Sequence, residues 1–137
     1  MKRAMLLVLV TLGCLLHAAS VLAAQSRAAQ LYDRHCAACH GAEGDGQGPA
    51  AYLLSPKPRD FTSGTYKFRS TPSGSPPTDA DLLRTVQRGI PGTPMPMWDR
   101  LSETDQVALV SYVKSFSDIF EDEDAMEPVI EITSPPA

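Results

Sequence analysis

The sequence predicts a small all-α domain with three main helices and long loops. Three segments, starting near Ser26, Thr78 and Ser102, carry apolar residues at helical spacing. The stretches between them are rich in Gly and Pro and contain few periodic apolar residues. An irregular stretch as long as residues 41–77 is uncommon in a compact domain. We therefore expect a large bound cofactor to organise it.

The first 24 residues have the layout of a secretory signal peptide. Lys2 and Arg3 precede an apolar run, and Val21-Leu22-Ala23 offers a cleavage site. We therefore expect a periplasmic protein whose mature chain has about 113 residues. No other segment approaches the ~20 apolar residues of a membrane span, so no transmembrane anchor is expected in the mature chain. Thr11-Leu12-Gly13-Cys14 is a poor lipobox, which argues against a lipid anchor at Cys14.

Charge divides the remaining chain into two parts. The formal net charge is −4 over 137 residues, and loss of the two bases in the signal peptide makes it about −6. Residues 25–117 are nearly balanced, whereas residues 118–137 carry seven acids and no base. We predict a domain over 25–117 and a flexible, Pro-containing tail over 118–137 that does not pack on it. Ile119 and Phe120 are the exceptions, since their apolar side chains can still pack beside the last helix. A nucleic-acid partner is not expected, since no basic patch is present.

The first helix is predicted over Ser26 to Cys39 and is ended by Gly41. Loops follow to residue 77, with three aromatic residues as candidates for burial. These are Phe61, Tyr66 and Phe68.

Capping patterns mark the other two helices. Thr78 with Asp81 resembles a capping box, and Gly89 followed by Pro91 ends that helix. A Pro-rich loop then leads to Ser102, the predicted N-cap of the last helix. Tyr32 and Tyr112 are expected to meet where the first and last helices cross.

The chemistry is carried by Cys36-Ala37-Ala38-Cys39-His40, the c-type haem attachment pattern. Two thiols form thioether bonds to the two haem vinyl groups, and one helical turn sets their spacing. The adjacent imidazole then becomes the proximal ligand of the iron. We therefore predict one haem c, covalently bound through Cys36 and Cys39, with His40 as an iron ligand.

Two other interpretations of the cysteine pair fit less well. A thioredoxin-like redox pair needs a strand-helix-strand pattern around it, which is absent here. A zinc site needs four ligands, and His35 is the only other His or Cys near this motif. Because it immediately precedes Cys36, we interpret His35 as a surface or packing residue.

Residues 25–116 resemble a class I monohaem cytochrome c of bacteria. The resemblance rests on a helix that runs into the haem motif, on Gly48-Pro49, on a Met-Pro loop and on a C-terminal helix. Gly89-Ile90-Pro91-Gly92-Thr93-Pro94-Met95-Pro96-Met97-Trp98 is similar to the family's sixth-ligand loop. It implies that Met95 is the second axial ligand, while Met97 is interpreted as a packing residue.

The resemblance also implies groups around the cofactor. A ligating histidine donates its other ring N–H to an acceptor. In the family that acceptor is a proline carbonyl, here matched by Pro49. Donors to the haem propionates are sought among polar residues of the loops, with Arg69 as first choice. The other candidates are Arg59, Tyr66, Lys67 and Trp98.

The predicted function is one-electron transfer in the periplasm, without catalysis by this chain. With His40 and Met95 both on the iron, no open position remains for a substrate. Redox proteins are the expected partners, through a small and weak interface. Two alternatives stay open: a haem-bearing subunit of a larger oxidoreductase complex, and a haem peroxidase or gas sensor.

Overall fold

The part of the chain that the structure describes contains four α-helices and three short 3-10 turns, joined by long loops. This computed structural model describes residue 23 and residues 25–130. The predictions for residues 1–22 and 24 and for residues 131–137 lie outside the described residues. Helix α1 covers residues 25–35, and α2 follows over Ala37–His40. Helix α3 covers Asp79–Arg88 and α4 covers Glu103–Lys114. No strand occurs among the described residues, which confirms the all-α class.

The predicted first helix is present, with an interruption at Cys36. The backbone turns at this residue, which has φ −121° and ψ −40°. The hydrogen-bonding pattern nevertheless continues, because Cys36 N donates to Tyr32 O at 2.8 Å and His40 N donates to Cys36 O at 2.9 Å. Gly41 ends α2 as expected, with φ +83°. The haem motif therefore occupies one stiff turn after α1.

The later helices begin where their capping residues predict. The Thr78 side chain accepts from Asp81 N, and the Asp81 carboxylate accepts from Thr78 N at 3.1 Å, which completes a capping box. Ser102 accepts from Asp105 N at 3.2 Å at the start of α4. Asp105 also binds the Arg27 guanidinium at 2.6 Å, so the cap of α4 is tied to α1.

Two clusters of buried residues make the core. One lies between α1 and α4, where the Tyr32 and Tyr112 rings meet at 5.3 Å as predicted. Its buried members are Leu31, Tyr32, Ala37, Leu109 and Val113. The second cluster joins α3, α4 and the loop before α3 through Tyr66, Leu82 and Val110.

The long loops are organised by specific contacts rather than by regular structure. Gly48 lies so close to the backbone of Ala37 and Ala38 that a Cβ atom there would collide with it. Of the three aromatic candidates, Phe61 is half-buried and Tyr66 is buried. Phe68, in contrast, is 56% exposed, so its predicted burial is wrong. An aromatic side chain in an irregular loop is therefore not a sufficient signal of burial.

The first part of the predicted tail also contacts the domain. Residues Asp118–Phe120 and Glu123–Ala125 form 3-10 turns. The Phe120 ring packs against Tyr66, and Ile130 N donates to Ser70 O at 2.8 Å. The half-burial of Ile119 and Phe120 agrees with the expectation for these two apolar side chains. The expectation that the rest of the tail does not pack on the domain is corrected at Ile130, which bonds to Ser70.

Candidate functional site

The two thiols of the motif lie on one turn and are both free and half-buried. Cys36 precedes α2 and Cys39 lies within it, three residues on, so both remain on one side of a short helix. Burial, and to a lesser extent the neighbouring Cys39, raises the pKa of the Cys36 thiol to about 11. Cys36 is therefore a neutral thiol at pH 7, the form that carries the hydrogen needed for addition to a vinyl group.

The His40 ring is oriented by a hydrogen bond to a backbone carbonyl. Its Nδ1 lies 3.0 Å from Arg59 O. Because a carbonyl oxygen can only accept, Nδ1 must carry the proton and donate. This tautomer leaves the lone pair of Nε2 free to bind a metal. Burial lowers the pKa of His40, which further favours the neutral, ligating form.

The acceptor is Arg59, and the prediction of Pro49 is corrected. Residues 46–50 run back along α2, where Gly48 N donates to Cys39 O and Ala50 N donates to Ala38 O. Pro49 is exposed on this segment. Phe61 N donates to Gly44 O at 2.7 Å, and this return of the chain brings Arg59 O to the imidazole. The relevant carbonyl lies 19 residues from the histidine, so no sequence spacing could have indicated it.

The loop that carries Met95 is held by its backbone against the end of α3. Ile90 N donates to Met95 O at 3.1 Å and Trp98 N donates to Val86 O at 3.0 Å. Gly89 has φ +61°, and a Cβ atom there would lie within 2.8 Å of backbone atoms of residues 95–97. Glycine is thus required for this close approach. Met95 is half-buried.

The other methionine of the loop makes little contact with the protein. The Met97 side chain is 61% exposed, and its interpretation as a packing residue near a haem edge stays a prediction. Trp98 lies instead against α1, where its ring meets the His35 ring at 4.9 Å. His35 is therefore a packing residue, as predicted.

Tyr66 is the unexpected feature of the site. Its hydroxyl oxygen is buried and has no hydrogen-bond partner among the described residues. Burial raises the pKa of Tyr66 to about 12, so this group is a neutral donor at pH 7. A buried donor left without an acceptor costs about 1–3 kcal/mol. The hydroxyl therefore indicates that an acceptor from outside the protein belongs beside it.

Arg69, the first choice among the donors, is used within its own loop. Its Nε donates to Pro72 O at 3.0 Å and its Nη2 donates to Ser73 Oγ at 2.9 Å. A third bond from Nη1 goes to the carbonyl of Tyr66. The guanidinium thus stabilises the loop that carries Tyr66 with three of its five N–H groups. The role of Arg69 as a donor to the cofactor stays a prediction. Tyr66 was among the other candidates, and its unpartnered hydroxyl makes it the stronger one.

The residues present fit a covalently bound haem. Two thiols flank one turn, an imidazole nitrogen beside them is free to ligate, and a buried hydroxyl lacks an acceptor. A purely protein-based metal site fits less well. Among the described residues, no group of three or more His, Cys, Asp or Glu side chains is arranged to hold a metal ion. Within the same part of the chain, no helix has the length and apolar character of a membrane span.

Comparisons with known proteins agree with this assignment. The family model for cytochrome c matches residues 25–117. A solved chain of the reducing HAO-like protein complex from Kuenenia stuttgartiensis superposes with a TM-score of 0.76 and 44% sequence identity. The match covers 81% of the present chain and 50% of that chain, so the present chain spans about half its length. Among curated proteins, no significant relative was found.

Proposed function

The chain belongs to the cytochrome c family, and from this membership we propose that it is a periplasmic one-electron carrier with His40 and Met95 as axial ligands. Its cofactor is a covalently bound haem c, whose iron supplies a one-electron Fe(III)/Fe(II) couple. The single observation that carries the proposal is the orientation of the His40 ring. The ring belongs to the turn that carries both thiols, and its Nδ1 is engaged by Arg59 O, which leaves Nε2 free.

Cys36 and Cys39 hold the haem in this proposal. Each thiol adds its S–H across one vinyl group, with sulfur bonding to one carbon and hydrogen to the other. No oxidant is consumed. Because both cysteines are on the turn that also carries His40, attachment keeps the ligand close to the iron. Arg59 O then fixes the ring orientation through Nδ1.

Met95 is proposed as the second axial ligand. Its backbone is held by Ile90 N and by the close approach to Gly89, so contacts within the protein fix the shape of the loop. A thioether ligand favours the reduced iron and raises the potential, which suits an electron carrier. Met97, only two residues away but largely exposed, is the natural comparison.

Tyr66 is proposed to donate its hydroxyl proton to a haem propionate. The hydroxyl is buried and lacks a protein acceptor among the described residues. The propionates are the carboxylate acceptors that a haem brings into such a site. Trp98, whose ring packs on the His35 ring, stays a prediction as a further contact of the cofactor.

A second candidate function is electron transfer as a subunit of a larger complex. The similar chain from Kuenenia stuttgartiensis comes from a multi-protein complex, and 44% identity is high enough to make a related assembly worth testing. The acidic tail would then act as a link to a neighbouring domain or subunit. A pull-down from the periplasm and from native membranes distinguishes the two, because a free carrier should be recovered alone.

An optical spectrum and a carbon monoxide titration of the purified holoprotein test the axial ligands. We expect the weak red-end band of Met–Fe(III) in the oxidised form, and no carbon monoxide binding to the reduced form. Met95→Ala should lose the band and gain carbon monoxide binding. A wild-type protein without this band that binds carbon monoxide directly would instead support the haem peroxidase or gas-sensor alternative.

A further inference from the structure

The segment just beyond the family-matched region contacts the most unusual residue of the site. The family model ends at residue 117. The next turn, Asp118–Phe120, places the Phe120 ring 5.7 Å from the Tyr66 ring at an interplanar angle of 67°. Ser117 and Ile119 lie over Gly64, where a Cβ atom would come within 3.0 Å of both. Ser117, Ile119 and Phe120 therefore contact the part of the loop from Gly64 to Tyr66.

Phe120 is itself held firmly by the two last helices. The Lys114 ammonium lies 5.4 Å from the centre of the Phe120 ring. The same ammonium donates to Asp79 Oδ1 at 2.6 Å, which joins the end of α4 to the start of α3. Phe120 also packs on the cluster formed by Tyr66, Leu82 and Val110. The Phe120 ring is thus packed against the domain, although it lies in the tail segment.

The Tyr66 ring has aromatic neighbours that restrict its tilt. Phe61 stacks on it at 6.3 Å with an interplanar angle of 12°, and Phe120 meets it in an edge-to-face arrangement. Phe61 in turn stacks on the His40 ring at 4.5 Å. The backbone of Tyr66 is fixed separately by Arg69. Phe120 is therefore the contact that fixes the ring from the side of the tail.

We infer that Phe120 is a positioning residue that holds the Tyr66 hydroxyl toward the haem and thereby raises the reduction potential. This inference rests on the proposed function, since it requires the Tyr66 hydroxyl to meet a propionate. A hydrogen bond donated to a propionate offsets part of its negative charge. Because negative charge near the iron favours Fe(III), loss of the bond should lower the potential. Removing the Phe120 ring frees the Tyr66 ring to tilt and weakens this bond.

A double-mutant cycle on the midpoint potential of the full-length holoprotein tests the inference. The proteins are wild type, Phe120→Ala, Tyr66→Phe and the double variant. We expect both single variants to lower the potential. The Phe120→Ala shift should largely disappear in the Tyr66→Phe background, because the hydroxyl through which it acts is already gone. Urea denaturation run in parallel reports the packing loss, which is expected in both backgrounds.

Matched variants distinguish loss of the Phe120 ring from a general effect of changing the tail. Val129→Ala removes an apolar side chain that is 51% exposed in the same tail, and it should leave the potential unchanged. Phe120→Tyr keeps the ring and should retain the wild-type potential. If Phe120→Ala does not accumulate as holoprotein, Phe120→Leu removes the aromatic edge while keeping most of the volume, and it should show the same cycle.

Failure of the inference is distinct from failure of the proposed function. Equal shifts by Phe120→Ala in both backgrounds, or no shift at all, would overturn the positioning role. So would an unchanged potential in Tyr66→Phe. In each of these cases Met95→Ala can still gain carbon monoxide binding, which would leave the proposed axial ligands intact.

Discussion

The haem-attachment turn, residues 36–40, and the loop over residues 59–73 are both proposed to supply groups to the same cofactor, and they are assembled by different means. In the turn, partners are neighbours in sequence, and His40 N donates to Cys36 O at 2.9 Å. In the loop, Arg59 O meets a ring 19 residues away, and Tyr66 packs on Phe120, farther still along the chain. One region is assembled by a helical turn, the other by packing.

This difference explains which expectations needed correction. The attachment turn is predicted from five consecutive residues, and the structure places its two cysteines and its histidine on one turn. The corrections concern residues whose role depends on contacts distant in sequence. They are Pro49, which is not the acceptor for His40, and the tail at Ile130, which bonds to Ser70. The four predictions below test whether the two regions really differ in this way.

The largest effect is expected in the attachment turn. Cys36→Ser and Cys39→Ser should each prevent double thioether attachment, because a hydroxyl does not replace the thiol in this addition. His40→Ala should reduce holoprotein yield further, since the iron loses its proximal ligand. Haem staining after denaturing electrophoresis, with mass spectrometry, measures both.

Ala38→Ser is the control for the turn, since Ala38 is exposed between the two cysteines. It should retain one haem bound through two thioethers. Doubly attached haem in either cysteine variant would contradict the assignment.

The next largest effect is expected to distinguish the two methionines of the loop over residues 89–98. Met95→Ala should lower the potential and open the iron to carbon monoxide. Met97→Ala should leave both unchanged and reduce the free energy of unfolding by less than about 1 kcal/mol, because its side chain is 61% exposed. Redox titration and carbon monoxide difference spectra measure the pair. The reverse pattern would assign the iron to Met97.

A smaller effect is expected where the loop is anchored to α3. The buried Asp81 carboxylate accepts from Ser70 N at 2.9 Å, from Ser70 Oγ at 2.8 Å and from the Thr78 cap. These bonds outweigh its burial, which acts in the opposite direction, and lower the pKa of Asp81 to about 2. A depressed pKa means that the stabilisation is present above pH 4 and is lost as pH falls through 2. At pH 7 it amounts to about 2 kcal/mol.

Asp81→Asn should therefore lower the free energy of unfolding by about that amount at pH 7. The difference from wild type should shrink between pH 4 and pH 2. Urea denaturation of the holoprotein across this range measures it. Thr85→Ser is a suitable control on the same helix, because it keeps the hydroxyl that donates to Asp81 O. A difference that stays constant with pH would show that the carboxylate charge is not responsible.

The smallest effect is expected from the far tail. Deleting residues 121–137 removes six acids but retains Phe120. The spectrum and potential should stay unchanged. Within residues 121–130, the deletion removes one backbone hydrogen bond to the domain, from Ile130 N to Ser70 O. Association with a basic redox partner should slow at low salt, with the difference fading as the Debye length falls from ~10 Å at 0.1 M toward 3 Å at 1 M.

Stopped-flow association rates over a salt series measure this steering. Substituting Glu121, Asp122, Glu123 and Asp124 by their amides is the matched control, since it removes charge and keeps chain length. If the truncated protein loses haem or unfolds, the far tail is structural. Rates that never differ at any salt would show that its charges do not steer.

The sequence by itself determined the all-α class, the haem motif and the capped starts of α3 and α4. Each of these is encoded over three to ten consecutive residues, through helical spacing or a side chain that caps its own helix. Only the tertiary structure decided that Arg59 O orients His40. It also decided that Arg69 hydrogen-bonds within its own loop and that Phe120 packs against Tyr66. Backbone carbonyls carry no sequence signal, because every residue has one. Loop side chains find their partners through packing between segments far apart in the chain, and no local spacing records those distances.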